Sequence, residues 1–91
     1  MLRVSIFGLG YVGCVSAACL ARAGHQVIGV ETNEEKAAMI NAGRSPIVEP
    51  GLGDLLAEVV RSGKLSTTLS GSKAVNATEL ALVCVGTPSR D

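Results

Sequence analysis

Three glycines and one acid carry the chemistry that can be read first in this chain. Gly8, Gly10 and Gly13 form a G-x-G-x-x-G turn directly after the apolar run Arg3-Val4-Ser5-Ile6-Phe7. Glu31 closes a second apolar run, Gln26-Val27-Ile28-Gly29-Val30. Gly8 lets the chain leave a strand sharply, Gly10 brings no Cβ between the backbone and a pyrophosphate, and Gly13 lets the following helix lie close to a sheet. That helix aims free N–H groups and its positive dipole end at phosphates. An acid at the tip of the second strand accepts hydrogen bonds from an adenosine ribose. The glycines alone are a weak signal. Strand, glycines, helix, strand and acid in this order imply a dinucleotide-binding βαβ unit over residues 1–31.

The elements that must position these residues follow from periodicity. Residues 3–7 are β-branched and aromatic, as a short buried strand requires. From about Tyr11 to Arg22 the pattern is helical and rich in small residues, and Gly24 suits the left-handed position just past the helix end. His25, the single histidine, falls in the loop that follows, with no Ser, Cys or Asp partner nearby in sequence. It reads as a polar loop residue. Beyond Glu31, Thr32 and Glu35 stand at capping-box spacing and predict a helix reaching about Ala42, ended by Gly43. Pro50 suits the first turn of a further helix, with Glu49 as its cap. Leu52, Leu55, Leu56, Val59 and Val60 give that helix one apolar face, and Gly63 closes it. A short strand over 65–69, a short helix over 72–77 and a fully buried strand over 80–85 complete the reading, stopped by Gly86-Thr87-Pro88.

The predicted order is therefore β-α-β-α-α-β-α-β. Right-handed crossovers between parallel strands arrange it as a Rossmann-type α/β sheet of about four strands in the order 3-2-1-4. Residues 1–91 make one unit with no internal repeat or linker, equivalent to the first part of a dinucleotide-binding domain. The outer edge of the last strand is expected to be open, which offers a route to self-association.

Bulk properties exclude several classes. Eight basic and eight acidic side chains give zero formal charge with no block of one sign, which argues against electrostatic nucleic-acid binding. Phe7 and Tyr11 are the only aromatics among Phe, Trp and Tyr, and a chain this short buries only roughly 60–65% of its unfolded surface, so marginal stability is expected. Cys14, Cys19 and Cys84 form no C-x-x-C pair and no metal-ligand cluster with His25. They read as small hydrophobes of a protein in a reducing cytoplasm. Val4 to Ala21 carries no charge, as a signal peptide or a short membrane span would. Three glycines, Tyr11 and two serines interrupt it, however, and only the strand-turn-helix reading explains where the glycines stand.

Three segments together, Phe7-Gly8-Leu9-Gly10-Tyr11-Val12-Gly13, Ser45-Pro46-Ile47-Val48-Glu49-Pro50-Gly51-Leu52 and Val83-Cys84-Val85-Gly86-Thr87-Pro88, resemble the UDP-glucose/GDP-mannose dehydrogenases across essentially the whole chain. The form of the Ser45–Leu52 segment is most similar to members that act on GDP-mannose and feed alginate synthesis, with UDP-glucose relatives next. The resemblance implies an oxidation of a nucleotide sugar's C6 alcohol to a carboxylate with two NAD molecules, through a cysteine-bound thiohemiacetal and thioester. It also implies that Tyr11 and Val12 contact the pyrophosphate through their backbone, that Glu31 binds the ribose, that Lys36 lies beside it, and that Thr87 approaches the cofactor. Thr87 would stand beyond the carboxyl end of the fourth strand, where open α/β sheets bind ligands.

Two departures accompany the resemblance. The family usually carries Asp where this chain has Glu31. The acid would repel a 2′-phosphate and no Arg follows it closely, so NAD is expected over NADP. The family's catalytic cysteine and sugar-nucleotide pocket have no counterpart in Cys14, Cys19 or Cys84, so these 91 residues alone are expected to be inactive, and a nucleotide sugar is expected as a partner only of a full-length protein. A non-catalytic nucleotide-binding or interaction module remains the alternative. A hydroxyacid-type dehydrogenase sharing only the glycine turn is disfavoured by the Ser45–Leu52 segment.

Overall fold

A computed structural model describes residues 1–84. Four parallel strands, β1 (Arg3–Phe7), β2 (Gln26–Val30), β3 (Leu65–Thr68) and β4 (Leu80–Val83), lie in the order β3-β2-β1-β4. The helices between them are α1 (Tyr11–Arg22), α2 (Glu34–Asn41), α3 (Leu52–Arg61) and α4 (Gly71–Ala77). The sequence-based order and strand arrangement are both observed. Because the chain runs from β1 outward to β2 and β3 and then returns to the other side of β1, right-handed crossovers put α1, α2 and α3 on one face and α4 on the other.

The core lies between the sheet and the α1–α3 layer, where Val4, Ile6, Leu9, Val27, Ile40, Leu56, Val59 and Leu65 are buried. α1 reaches this layer through a stripe of small residues, Gly13, Cys14, Ala17, Ala18 and Ala21. Such a stripe lets a helix axis approach a sheet closely. α3 supplies the bulk with Leu52, Leu56 and Val59 buried and Leu55 and Val60 packed beside them. Ser5 is fully buried in the central strand, and its hydroxyl meets that of Thr78 at 3.0 Å, so the buried polar group keeps a partner. His25 acts as the expected loop residue, its Nδ1 accepting a hydrogen bond from the Leu2 N–H at 3.0 Å.

Several local expectations are corrected. Asn33, not Thr32, caps α2: its side chain accepts the Lys36 N–H at 3.0 Å. Asn at this position satisfies the same orphan donor as Thr would, and it begins the helix one residue later. Pro50 lies outside α3 rather than in its first turn. Gly51, with φ of 81°, is the capping residue, and no side chain caps this end. Glu49 contributes only its carbonyl, which accepts the Leu52 N–H at 3.1 Å. The last strand spans residues 80–83 and is largely exposed, with Leu80 at 44% and Val83 at 71%. The run of apolar residues is what a strand flanked on both sides would carry, but among the described residues β4 has a neighbour, β1, on one side only.

The two sheet edges differ. At β3, the Asn41 side chain from the end of α2 accepts the Thr67 N–H at 2.9 Å, and the Thr67 hydroxyl donates to the Ala37 carbonyl at 3.0 Å. An outward-facing ladder group is thus occupied from within the chain, which blunts an edge.

The tightest packing lies at Gly13, where a Cβ would stand 1.9 Å from the Gly8 carbonyl oxygen. Gly13→Ala is therefore expected to cost about 3 kcal/mol or more through overpacking against backbone that has no room to yield, read as a lowered urea midpoint. Gly10 has a φ of −74°, and a Cβ there would meet no heavy atom within 4 Å. The same change at Gly10 is expected to shift stability by less than about 0.5 kcal/mol.

Candidate functional site

The site is built at the carboxyl ends of β1 and β2. The Gly8 N–H donates to the Val30 carbonyl at 3.0 Å, which carries the pairing of β1 with β2 one residue into the turn. Gly8 then takes a φ of 92°, open to glycine and strained for other residues. Leu9 plunges its side chain into the core at 1% exposure and so pins the turn from beneath. Gly10 follows with open space above it, and α1 starts at Tyr11 without a side-chain cap. The first-turn N–H groups of a helix have no intrahelical acceptor, and here they follow directly on Gly10. Tyr11 and Val12 are exposed at 55% and 60%.

Glu31 is the one buried acid among the described residues, with 8% exposure. Its carboxylate is partnered on both oxygens. Oε1 accepts the Leu9 N–H at 3.2 Å, and Oε2 accepts the Asn33 N–H at 2.9 Å. The Lys36 ammonium stands 4.0 Å from Oε1. One acid therefore ties the glycine turn to the start of α2 through two backbone donors, with a cation beside it. A carboxylate accepts about four hydrogen bonds, which leaves lone pairs for ribose hydroxyls. The sequence places Glu31 at the strand tip as a ligand for sugar. Its clasp on Leu9 emerges only in the fold, since nothing in the spacing of residues 9 and 31 announces it.

The end of the Ser45–Leu52 segment lies along α1 and reaches Tyr11, the first residue of that helix. Ser45 folds it locally by accepting the Ile47 N–H at 3.1 Å. A recess of about 320 Å³ then opens between Tyr11, Val15 and Arg22 of α1 and the stretch Glu49 to Leu52 with Leu55. The structure thus joins Gly8, Gly10, Tyr11, Val12, Gly13, Glu31 and Lys36 at one end of the sheet. Thr87 lies outside the described residues. No group of three or more His, Cys, Asp or Glu that could hold a metal ion occurs among the described residues, and no helix there is long and apolar enough to cross a membrane.

Comparison with known proteins accounts for this arrangement. Residues 2–91 match the model of the UDP-glucose/GDP-mannose dehydrogenase family, NAD binding domain. The chain belongs to this family. It is 60% identical over 89 residues to GDP-mannose 6-dehydrogenase of Azotobacter vinelandii, which covers 98% of this chain and 20% of that protein. Identity to UDP-glucose 6-dehydrogenase of Rhizobium meliloti is 43%, with the same coverage of both chains. Among solved structures, a ternary complex of GDP-mannose dehydrogenase from Pseudomonas aeruginosa superposes with a TM-score of 0.95 at 53% identity, covering 98% of this chain and 20% of that one. The chain thus spans about a fifth of the length of the relatives it matches, and its family is one of nucleotide-sugar dehydrogenases whose cofactor is NAD.

Cys14 and Cys19 of α1 differ in exposure. Cys14 is buried, and its thiol donates to the Leu9 carbonyl at 3.2 Å. Burial pushes the Cys14 thiol pKa up, Lys36 offsets part of that, and Glu31 adds a smaller upward push. With its pKa raised, Cys14 holds less thiolate at mildly alkaline pH than an ordinary cysteine, and thiolate is the reactive form. Cys19 is exposed. Alkylation near pH 8 is expected to label Cys19 at least tenfold faster than Cys14, on the order of what burial of a thiol does, with Cys14 reacting only after denaturant is added. Peptide mass mapping over a time course reads both.

Proposed function

We propose that this chain binds NAD across the glycine turn and Glu31, and that it serves as the cofactor-binding portion of a GDP-mannose 6-dehydrogenase. The observation that carries the reading is the pairing of an uncapped helix N-terminus, bare at Gly10, with a buried carboxylate held 3.2 Å from the Leu9 N–H of the same turn. The groups match the two ends of an adenosine diphosphate: N–H donors for the pyrophosphate and a carboxylate for the ribose. In this reading Gly8 and Gly13 shape the turn, Gly10, Tyr11 and Val12 present backbone to the pyrophosphate, and Glu31 takes the ribose hydroxyls with Lys36 beside it. Thr87 contributes from beyond β4. NAD, when bound, takes up the hydride removed from the alcohol carbon of the substrate.

The chain's own part in the reaction is binding and orientation. The sugar chosen is GDP-mannose because identity to the GDP-mannose enzyme exceeds that to the UDP-glucose enzyme, 60% against 43%. Oxidation at C6, the nucleotide-sugar partner and a cytoplasmic setting belong to this same reading, and three free thiols suit a reducing compartment. Self-association through β4 belongs to it as well, favoured by the exposed Leu80 and Val83.

Calorimetric titration tests the cofactor role. Wild-type chain is expected to bind NAD with preference over NADP, and Glu31→Ala to weaken NAD by about tenfold through loss of two charge-assisted hydrogen bonds. The same change strands the Leu9 and Asn33 donors, so a stability loss of about 1–3 kcal/mol is expected alongside it. Unchanged affinity and preference in a folded variant would remove Glu31 from the site. A chimera in which residues 1–91 replace their counterparts in the Azotobacter vinelandii enzyme is expected to oxidise GDP-mannose with NAD. An inactive but folded chimera would count against the dehydrogenase role.

A further inference from the structure

We infer that Cys14 is a positioning residue for the cofactor: its thiol holds the Leu9 carbonyl inward and thereby turns the Gly10 N–H outward, toward the pyrophosphate. The inference rests on the cofactor reading above and concerns what lies beneath the glycine turn, not what touches the ligand. Leu9 is 1% exposed, so its carbonyl must find a partner inside the protein. Standing just before the N-cap Gly10, it lies outside the helix ladder, whose Cys14 N–H goes to the Gly10 carbonyl at 2.9 Å. Among the described residues its one hydrogen bond comes from Cys14 Sγ, at 3.2 Å. The space beside the thiol, walled by Leu9, Ala17, Ile40, Leu56 and Leu65, has no room for a water molecule. Solvent therefore does not replace the sulfur from that side. Burial also raises the Cys14 pKa, with a partial offset from Lys36, and so keeps on the sulfur the proton that a donor needs.

The link from sulfur to ligand is the Leu9–Gly10 peptide, which is trans. A trans peptide keeps its C=O and the following N–H in one plane and pointing in opposite directions. With the Leu9 carbonyl drawn toward Cys14 on the buried face of α1, the Gly10 N–H points away from the core. It has no acceptor there among the described residues, and a Cβ on Gly10 would meet no heavy atom within 4 Å. The peptide on the other side of Leu9 is fixed as well, because the Leu9 N–H donates to Glu31 Oε1 at 3.2 Å. Leu9 is thus held at three points: its N–H by the tip of β2, its carbonyl by α1 and its side chain by the core. Without the thiol the carbonyl is stranded, and rotation of the peptide toward water would relieve it. The same rotation would carry the Gly10 N–H inward, off the ligand's side. An S–H is a weak donor, so the thiol sets a bias of modest size.

The test titrates NAD, ADP and adenosine into wild-type chain, Cys14→Ala and Cys14→Ser, read from the amide resonances of nitrogen-15-labelled protein. Cys14→Ala is expected to weaken NAD and ADP by about threefold to tenfold, as loss of one hydrogen bond does, and adenosine, which has no pyrophosphate, by about twofold or less. Cys14→Ser returns a donor to the same place and is expected to recover most of the loss. Equal weakening of ADP and adenosine would overturn the inference by making Cys14 a packing residue only, and so would a Ser variant that binds ADP no better than the Ala variant. Should Cys14→Ala fail to fold, the wild-type Gly10 amide still decides. ADP is expected to shift its resonance, and adenosine to leave it in place. A Gly10 amide that ADP does not move, in protein that binds ADP, would overturn the inference while the cofactor reading stands. Wild-type protein that binds neither NAD nor ADP would overturn the cofactor reading itself, and this inference with it.

Discussion

A single carbon added at position 13 would sit 1.9 Å from the Gly8 carbonyl oxygen, and the arrangement of the whole cofactor end follows from leaving that carbon out. With no Cβ there, α1 descends onto β1 until helix and strand backbones nearly touch. That closeness is why the inward face of α1 is restricted to Cys14, Ala17, Ala18 and Ala21. It also determines that the helix begins immediately after the turn, with its first N–H groups beside Gly10 and not displaced by a longer loop. The bulky part of the core is consequently supplied from elsewhere, by Leu9 below the turn and by Leu52, Leu56 and Val59 of α3.

Glu31 is the second constraint, and it joins structure to chemistry. Its carboxylate spans the gap between the turn after β1 and the loop after β2, two segments that share no other side-chain hydrogen bond among the described residues. In the proposed role as ribose ligand this group must be held still, and two backbone donors do this without using up its accepting capacity. The side chain of Glu31 is long enough for its one carboxylate to bridge Leu9 and Asn33.

Much of this is legible in the sequence because the strongest signals are local. The apolar runs ending at Phe7 and Val30 have a length and bounding glycines that only strands explain, and once α/β alternation is granted, crossover handedness leaves a single order for the sheet. Gly24, Gly43 and Gly63 mark helix ends as expected, each with positive φ. What is not legible depends on competition between near-equal local choices or on distant partners. Thr32 and Asn33 are both good caps, and the tie is broken by where Glu31 draws the Asn33 backbone. Pro50 reads as a helix start because its chemistry permits it, but the left-handed turn at Gly51 ends the loop one residue later. The apolar run of β4 overstates its burial because hydrophobicity reports what a strand is suited to touch, not what lies beside it. The Asn41 amide on Thr67 and the Glu31 carboxylate on Leu9 join residues far apart in the chain, and no spacing rule finds such pairs.

The sheet also dictates an order of events as the chain is made. β1 is a central strand, yet its two neighbours come from opposite ends of the chain: Val27 stands beside Val4 on one side and Leu80 on the other. The first three elements, which carry the glycine turn and the strand tip bearing Glu31, leave the ribosome early, although the bulky part of the core that covers them comes later, from α3. The opposite flank of β1 must wait for almost all of the described chain to emerge, and closing so large a loop is slow. During that interval a strand destined for the middle of the sheet has one bare edge, so a nascent chain held here for long is the form in which chaperone binding would matter most.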